Sequence, residues 1–314
     1  MLSRAASSVY WMSRYLERAD NVARFIAVNT HLILDMGVER NEAQWEPLIR
    51  ASGDEQDFVK RYGTANEKNV IQFLTFDKEN PNSIYSCVKT ARENARSVRD
   101  VIISEMWETI NDLYHLVQQH SRKRKIDDLT DFFVQVRNAN HLFTGFSENT
   151  MTHGEGWHFA RMGKLLERAD KTARMLDVKY FLLLPTLEYF DTPHDEVEWG
   201  AVLKSMSGFE MYRKQFHRAN YRDVAHFLIF DPVFPRSVRA CVGGAKESLS
   251  KITALLNVDV PATKEILELE TALDGTNIDS ILESGLHEFI DMLQFNLNVV
   301  DQSIFLAFFA VRDA

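Results

Sequence analysis

The sequence predicts an all-α protein built from two related helical lobes of about 150 residues each. Three observations lead there. A charged motif occurs twice, apolar residues recur at three- and four-residue spacing along nearly the whole chain, and breakers are scarce, with 13 Gly and 7 Pro in 314 residues. A composition of 45% hydrophobic residues with 21 Phe supplies a large core.

The repeat is the most specific of the three. Met12-Ser13-Arg14-Tyr15-Leu16-Glu17-Arg18-Ala19-Asp20-Asn21-Val22-Ala23-Arg24 returns 150 positions later as Met162 to Arg174, with eight of 13 positions identical. The offset then becomes 154, which places a net insertion of four residues near Pro185. Glu42 and Trp45 recur as Glu196 and Trp199, Ala65-Asn66 as Ala219-Asn220, and Val70 to Asp77 as Val224 to Asp231. Pro81, Ser83, Cys87, Val88, Ala91 and Glu93 recur as Pro235, Ser237, Cys241, Val242, Ala245 and Glu247. Residues 1–150 and 151–314 are therefore read as a first and a second helical repeat, either stacked as two lobes or interleaved as one continuous domain.

Periodicity places the first helix at 5–36, with Met12, Leu16, Ala19, Ala23 and Ile26 as its core stripe and Gly37 as its stop. Helices follow at 41–52, 54–61 and 65–76. The next, at 83–123, starts where Ser83 after Asn80-Pro81 can cap free amides, and it breaks near the second capping signature, Ser104-Glu105. After 127–147, the second motif lies in a helix at 152–183. Then come 195–207, 209–217, 221–230, a helix at 237–256 capped by Ser237 after Pro235, 262–273, and 279–310. No strand run with turn punctuation occurs.

Composition also limits function. A net charge of −9 argues against general nucleic-acid binding. No apolar stretch reaches the ~18–20 residues of a membrane span. Met1 to Ser8 carries Ser and Arg without acids, as transit peptides do, but its closeness to the motif makes it the start of the first helix, and a cytoplasmic location is expected. Cys87 and Cys241 fall in apolar helical patterns, as buried thiols of a reducing compartment do.

On a helix, Glu17, Asp20 and Arg24 share an arc of about 60° opposite the core stripe, and Arg14 and Arg18 lie on a flank. Glu167, Asp170, Arg174, Lys164 and Arg168 repeat the arrangement. A solvated face would tolerate charge-preserving exchange, which happens only at position 14/164. Defined geometry is favoured: an interhelical ion-pair network first, a binding or catalytic surface second, in which Glu17 and Glu167 are the acid/base candidates. Arg18, Asp20, Arg24, Arg168, Asp170 and Arg174 are the corresponding binding candidates.

A second basic group is asymmetric. Arg92, Arg96 and Arg99, with Glu93 beside them, line one helix face, where the other half has Lys246, Ser250 and Thr253. Such a stripe suits a carboxylate, a phosphate or acids of adjacent helices. Carboxylate–His pairs at Asp112/His115 and Asp223/His226 are not repeat-equivalent and use Asp where di-metal bundles use Glu, so no metal or cofactor is expected. His153 to His158 reads as the entry to the second long helix, and Ser121 to Lys125 as a solvated helix end.

The paired Leu-Glu-Arg-Ala-Asp-x-x-Ala-Arg motifs closely resemble the bacterial Alpha-E family, helical proteins known for an E-R motif. Tyr10-Trp11-Met12-Ser13-Arg14, Ala91-Arg92-Glu93-Asn94-Ala95-Arg96-x-x-Arg99, Ser104-Glu105-Met106-Trp107-Glu108, Gly156-Trp157 and Asp231-Pro232-x-x-Pro235-Arg236-Ser237 carry the same resemblance. It singles out Glu17, Arg18, Glu167 and Arg168. It also implies partners: a circularly permuted ATP-grasp protein and a transglutaminase-like protein, in peptide or amide-bond synthesis. The leading expectation is a non-catalytic accessory or binding protein of such a system. The alternatives are an enzyme using Glu with an arginine anion clamp, or a structural scaffold. A concave pocket holding both motifs and the arginine stripe would favour the enzyme, and motifs sealed between helices with no cavity the scaffold.

Overall fold

The computed structural model describes residues 1–36, 44–123, 129–183 and 193–310. The stop at Gly37, the repeat position Glu42, the helix starts at 41 and 127, Arg124 and Lys125 of the basic run, and the insertion near Pro185 lie outside the described residues. Every regular element among the described residues is helical. In chain order they are α1 Ser3–Met36, α2 Glu46–Ser52, α3 Glu55–Tyr62, α4 Glu67–Ile71, α5 Ile84–Ser97, α6 Ser104–Ser121, α7 Thr130–Asn149 and α8 Glu155–Leu183. They continue as α9 Pro193–Ser205, α10 Phe209–Tyr212, α11 Tyr221–Phe230, α12 Val238–Leu256, α13 Pro261–Asp274, α14 Ile278–Ser284 and α15 Leu286–Ile304. Single π-helical turns, Gln72–Phe76 and Phe305–Phe309, extend α4 and α15.

The caps form where polar residues follow proline or a turn. Ser83 Oγ accepts the Ser86 amide at 3.1 Å, and its hydroxyl donates to the Asp77 carbonyl at 2.6 Å. Ser237 does the same with the Ala240 amide, at 3.1 Å, and the Asp231 carbonyl. Asn66 and Asn220 cap α4 and α11 through the amides of Asn69 and Asp223. These bonds satisfy amides that a helix start leaves free.

Four sequence expectations need correction. Ser104 does not cap the helix after the break: α6 begins with Ser104 itself, after Ile103, and no side chain caps it. The break after α5 spans 98–103, so Arg99 lies beyond the helix that carries Arg92 and Arg96. The helix expected at 279–310 is interrupted at Gly285, whose φ of +110° is a conformation that residues with a side chain adopt only under strain. The segment expected at 209–217 is helical only over Phe209–Tyr212.

Two long helices, α1 and α8, occupy the centre and pack against each other. α1 also meets α5, α7 and α9, while α8 meets α12, α15 and α2. The helix that follows α1 thus lies on α8, and the one that follows α8 lies on α1. The buried apolar side chains join in one connected core, in which Trp45 and Trp199 are both 1% exposed. Cys87 and Cys241 are buried within it, and burial pushes both thiols up to about 12. That agrees with the structural role read from their apolar setting.

The central helices approach closely at Gly163, where a Cβ would sit 2.5 Å from the Tyr10 carbonyl oxygen. Alanine at this position should gain about 1 kcal/mol of helix propensity but force α1 and α8 apart. The expected net result for Gly163→Ala is a loss of about 1–3 kcal/mol in chemical denaturation. Unchanged or increased stability would contradict this close approach.

Candidate functional site: a reciprocal Glu–Arg clasp

The charged face of α1 meets α5, α7, α8, α9 and the start of α12 rather than solvent. Glu17, Asp20 and Glu167 are 0% exposed and Arg24 is 2% exposed. Each motif places Glu and Arg side by side in sequence, and the crossing of α1 and α8 brings each Glu to the other helix's Arg. The Arg168 fork grips Glu17 in two bonds, Nε–Oε1 at 2.8 Å and Nη2–Oε2 at 2.9 Å. The Arg18 fork grips Glu167 in the same way at 2.6 and 2.9 Å. Residue i of one helix thus meets j of the other while j' meets i', the pattern of a two-fold contact. Parallel paired bonds of this kind are the strongest carboxylate–guanidinium geometry.

Each carboxylate has further donors, and here the halves differ. Glu167 also takes Arg14 Nε at 3.0 Å and has Lys171 Nζ at 3.7 Å. Glu17 takes Asn21 Nδ2 and Arg236 Nη1, each at 3.2 Å. Arg236 stands 154 residues after Asn82, and the two play different parts. Asn82 accepts from Arg18 Nη1 at 2.6 Å and donates to Asp54. Arg236 reaches from the start of α12 to Glu17, to Asn21 at 3.1 Å and to Asp20 at 2.9 Å. Arg14 completes one edge of the clasp through Asp301 and the Tyr10 hydroxyl. On the second motif, Asp170 pairs with Arg174 and Lys171, both at 3.0 Å.

Burial alone would raise the Glu17 carboxyl, but Arg168 and Arg236 outweigh it and hold the group well below the usual carboxylate range. Glu167 is likewise held far below by Arg18, Lys171 and Arg14 against the opposing effect of burial. A carboxylate that stays ionised, fully buried and pinned by guanidiniums has neither the proton affinity nor the access of a general acid or base. At these positions the arrangement is that of the ion-pair network.

The arginine stripe behaves differently. Arg92 donates to Asn111 at 2.9 Å and lies over the Trp107 and Tyr114 rings at 5.5 and 4.8 Å. Arg99 also lies over the Trp107 ring, at 5.1 Å. Arg96 is 66% exposed beside Glu93. The three stack on an aromatic ridge of α6 or extend into solvent, and they are separate from the clasp.

Two groups escaped the sequence reading. Arg137 and His141, on α7, lie within electrostatic reach of Arg24 and Asp20, and His141 Nε2 lies 3.0 Å from Arg24 Nη2. Asp177, His287 and Asp291 offer one donor atom each within 4.8 Å of one another, the spacing of metal ligands. His287 bonds Asp177 through Nδ1 at 2.9 Å and faces Asp291 through Nε2 at 3.4 Å. With both ring nitrogens so engaged, the trio is an imidazole bridging two carboxylates. It borders a cleft of about 650 Å³ lined by Arg50, Asp54, Glu55 and Asp57. No local pattern could have joined these residues, because 110 positions separate Asp177 from His287.

Removing one charge from a buried pair leaves the other uncompensated, so Glu17→Gln and Glu167→Gln should each cost about 3–5 kcal/mol in chemical denaturation. A loss below about 1 kcal/mol would contradict the clasp. The pH dependence has a definite sign. Both carboxyls are depressed in the folded state, so their stabilisation is complete above the unfolded Glu value of about 4.3 and fades as pH falls below it. Acid titration of stability should therefore show a steep loss below about pH 4 that is shallower in either Gln variant.

The family model of Alpha-E, described as a predicted alpha-helical domain with a conserved ER motif, matches residues 1–309. The Glu17-Arg18 and Glu167-Arg168 pairs of the clasp fit that description. Uncharacterised proteins of Mycobacterium bovis and Mycobacterium tuberculosis are 23% identical over 254 residues, covering 75% of this chain and 28% of each relative. The chain thus matches little more than a quarter of the length of these curated relatives. No solved structure matches it. A family match over residues 1–309, nearly the whole chain, makes this protein a member of the Alpha-E family.

Proposed function

We propose that this chain is a non-catalytic helical partner in ATP-grasp-linked peptide or amide-bond synthesis, working in the cytoplasm beside an ATP-grasp ligase and a transglutaminase-like protein. The two halves are read as copies of one helical unit, interleaved through α2 and α9. The observation that carries the partner reading is the length of the mycobacterial relatives: a unit like this one fills 28% of each, joined to a much longer remainder. A unit found joined to further sequence suits work in complex. The sealed clasp speaks against the enzyme alternative, since Glu17 and Glu167 are withdrawn from acid/base chemistry, and it is shared with the scaffold alternative. Arg96 and Arg99, exposed on the asymmetric face, suit an acidic surface of the ligase.

The test is co-purification with an ATP-grasp protein of the same genome, followed by assay of ATP-dependent ligation with and without this chain. Complex formation and faster ligation are expected. Arg96→Glu with Arg99→Glu should weaken the complex at least tenfold with little change in thermal unfolding, since both side chains are exposed. Absence of a complex, and ligation indifferent to this chain, would overturn the proposal.

A further inference from the structure

The second half of the first motif opens onto a cluster of positive charge. Asp20 Oδ2 accepts from Arg24 Nε at 2.8 Å and from Arg236 Nη2 at 2.9 Å. Arg24 extends past Asp20 to the Ser207 hydroxyl and to His141 Nε2. Arg137, one turn before His141 on α7, bears on the same two groups, Arg24 and Asp20. Four elements converge here: α1, α7, the end of α9 and the start of α12.

The charges do not balance. Two carboxylates, Glu17 and Asp20, stand among four guanidiniums: Arg168 on Glu17, Arg236 bonded to both, Arg24 on Asp20, and Arg137 beside them. Two guanidiniums are thus in excess among the described residues. The imidazole adds no compensation: burial and the neighbouring arginines keep His141 below its ordinary value, and its Nε2 accepts from Arg24. Two polar atoms also have no partner. Asp20 Oδ1, fully buried, has no donor, and Arg137 Nε has no acceptor. Leaving such groups unsatisfied is costly. The cluster reaches solvent through His141 and Ser207, both exposed, and Ser207 holds a left-handed φ of +53° that non-glycine residues seldom adopt.

We infer that Arg24, Arg137, Arg236, His141 and Ser207 form a binding site for a phosphoryl group, either inorganic phosphate or the phosphate of a monoester. Phosphoryl oxygens supply the acceptor that Arg137 lacks and match the excess charge. A phosphoryl group brings more acceptor oxygens and more negative charge than a carboxylate, which suits an excess of two guanidiniums. The corresponding place on the second motif has the opposite character. There Arg174 reaches Gly53, 154 positions before Ser207, and Asp54, Asp177 and His287 line the cleft beside it. One phosphoryl group per chain is therefore expected. The inference does not depend on the ligase reading.

Calorimetric titration of the full chain with inorganic phosphate, phenyl phosphate and acetate at constant ionic strength tests it. Phosphate should bind saturably at one per chain and raise the unfolding temperature, with acetate at least tenfold weaker. Tight phenyl phosphate binding assigns the site to monoesters, and phosphate alone to the free ion. Arg137→Gln should lower phosphate affinity at least tenfold. Without phosphate the same variant should unfold at the wild-type temperature or above, because it removes an unbalanced charge. Arg222→Gln, at an exposed residue paired with Asp279, serves as the surface control and should change nothing. Failure of phosphate to saturate, acetate binding as tight as phosphate, or an Arg137→Gln variant that keeps its affinity or unfolds earlier would each overturn the assignment.

Discussion

Two carboxylates with no access to water govern this molecule. Glu17 and Glu167 lie at the crossing of the central helices, and the arginine fork that the other helix delivers is the leading charge that keeps each ionised. Sliding α8 along α1 by a single turn, about 5 Å, would strand both charges in an apolar interior. The clasp therefore sets the register of α1 against α8 more strictly than apolar packing can, since neighbouring apolar registers differ by much less than an unpaired buried charge. Gly163 works in the same direction, because the close approach it allows to the Tyr10 backbone puts the forks within reach.

The other helices are placed by that pair. α5 and α12 cover α1 and α8 and present Asn82 and Arg236 beside the clasp, each just before the serine that caps its helix. One asparagine replaced by one arginine changes the local charge, and the consequence spreads along α1. Asp20, which would otherwise be neutralised by Arg24 alone, is shared between two arginines, and Arg137 is left over. Position 24 ends in a cationic cluster with an exposed edge, whereas Arg174 ends beside an acidic cleft. Similar motifs thus sit in opposite electrostatic settings.

What the motif could and could not reveal follows from its chemistry. Spacing on a helix separates a core stripe from a charged face, and retention of charge sign and side-chain type between the copies points to fixed geometry. Spacing alone does not say what covers that face. An amphipathic helix ordinarily turns its charged side to water, and α1 departs from this because α5, α7, α8 and α9 surround it. The pairing of His141 with Arg24 and of His287 with Asp177 carries no sequence signal, since more than a hundred residues separate the members of each pair. The interruption at Gly285 was equally hidden, because a lone glycine inside a helical pattern is commonly tolerated.

By itself the sequence determined the helical class, the long central helices, the caps at Ser83 and Ser237 and the family, all of which rest on local periodicity, capping chemistry and a motif repeated along the chain. Tertiary structure alone decided that each glutamate is held by the arginine of the opposite motif, and that α1 is enclosed on its polar side. It also decided where an excess of positive charge remains. Local sequence governs backbone hydrogen bonding and the faces of each helix, but compensation of a buried charge depends on groups that only the packed chain brings within about 3 Å.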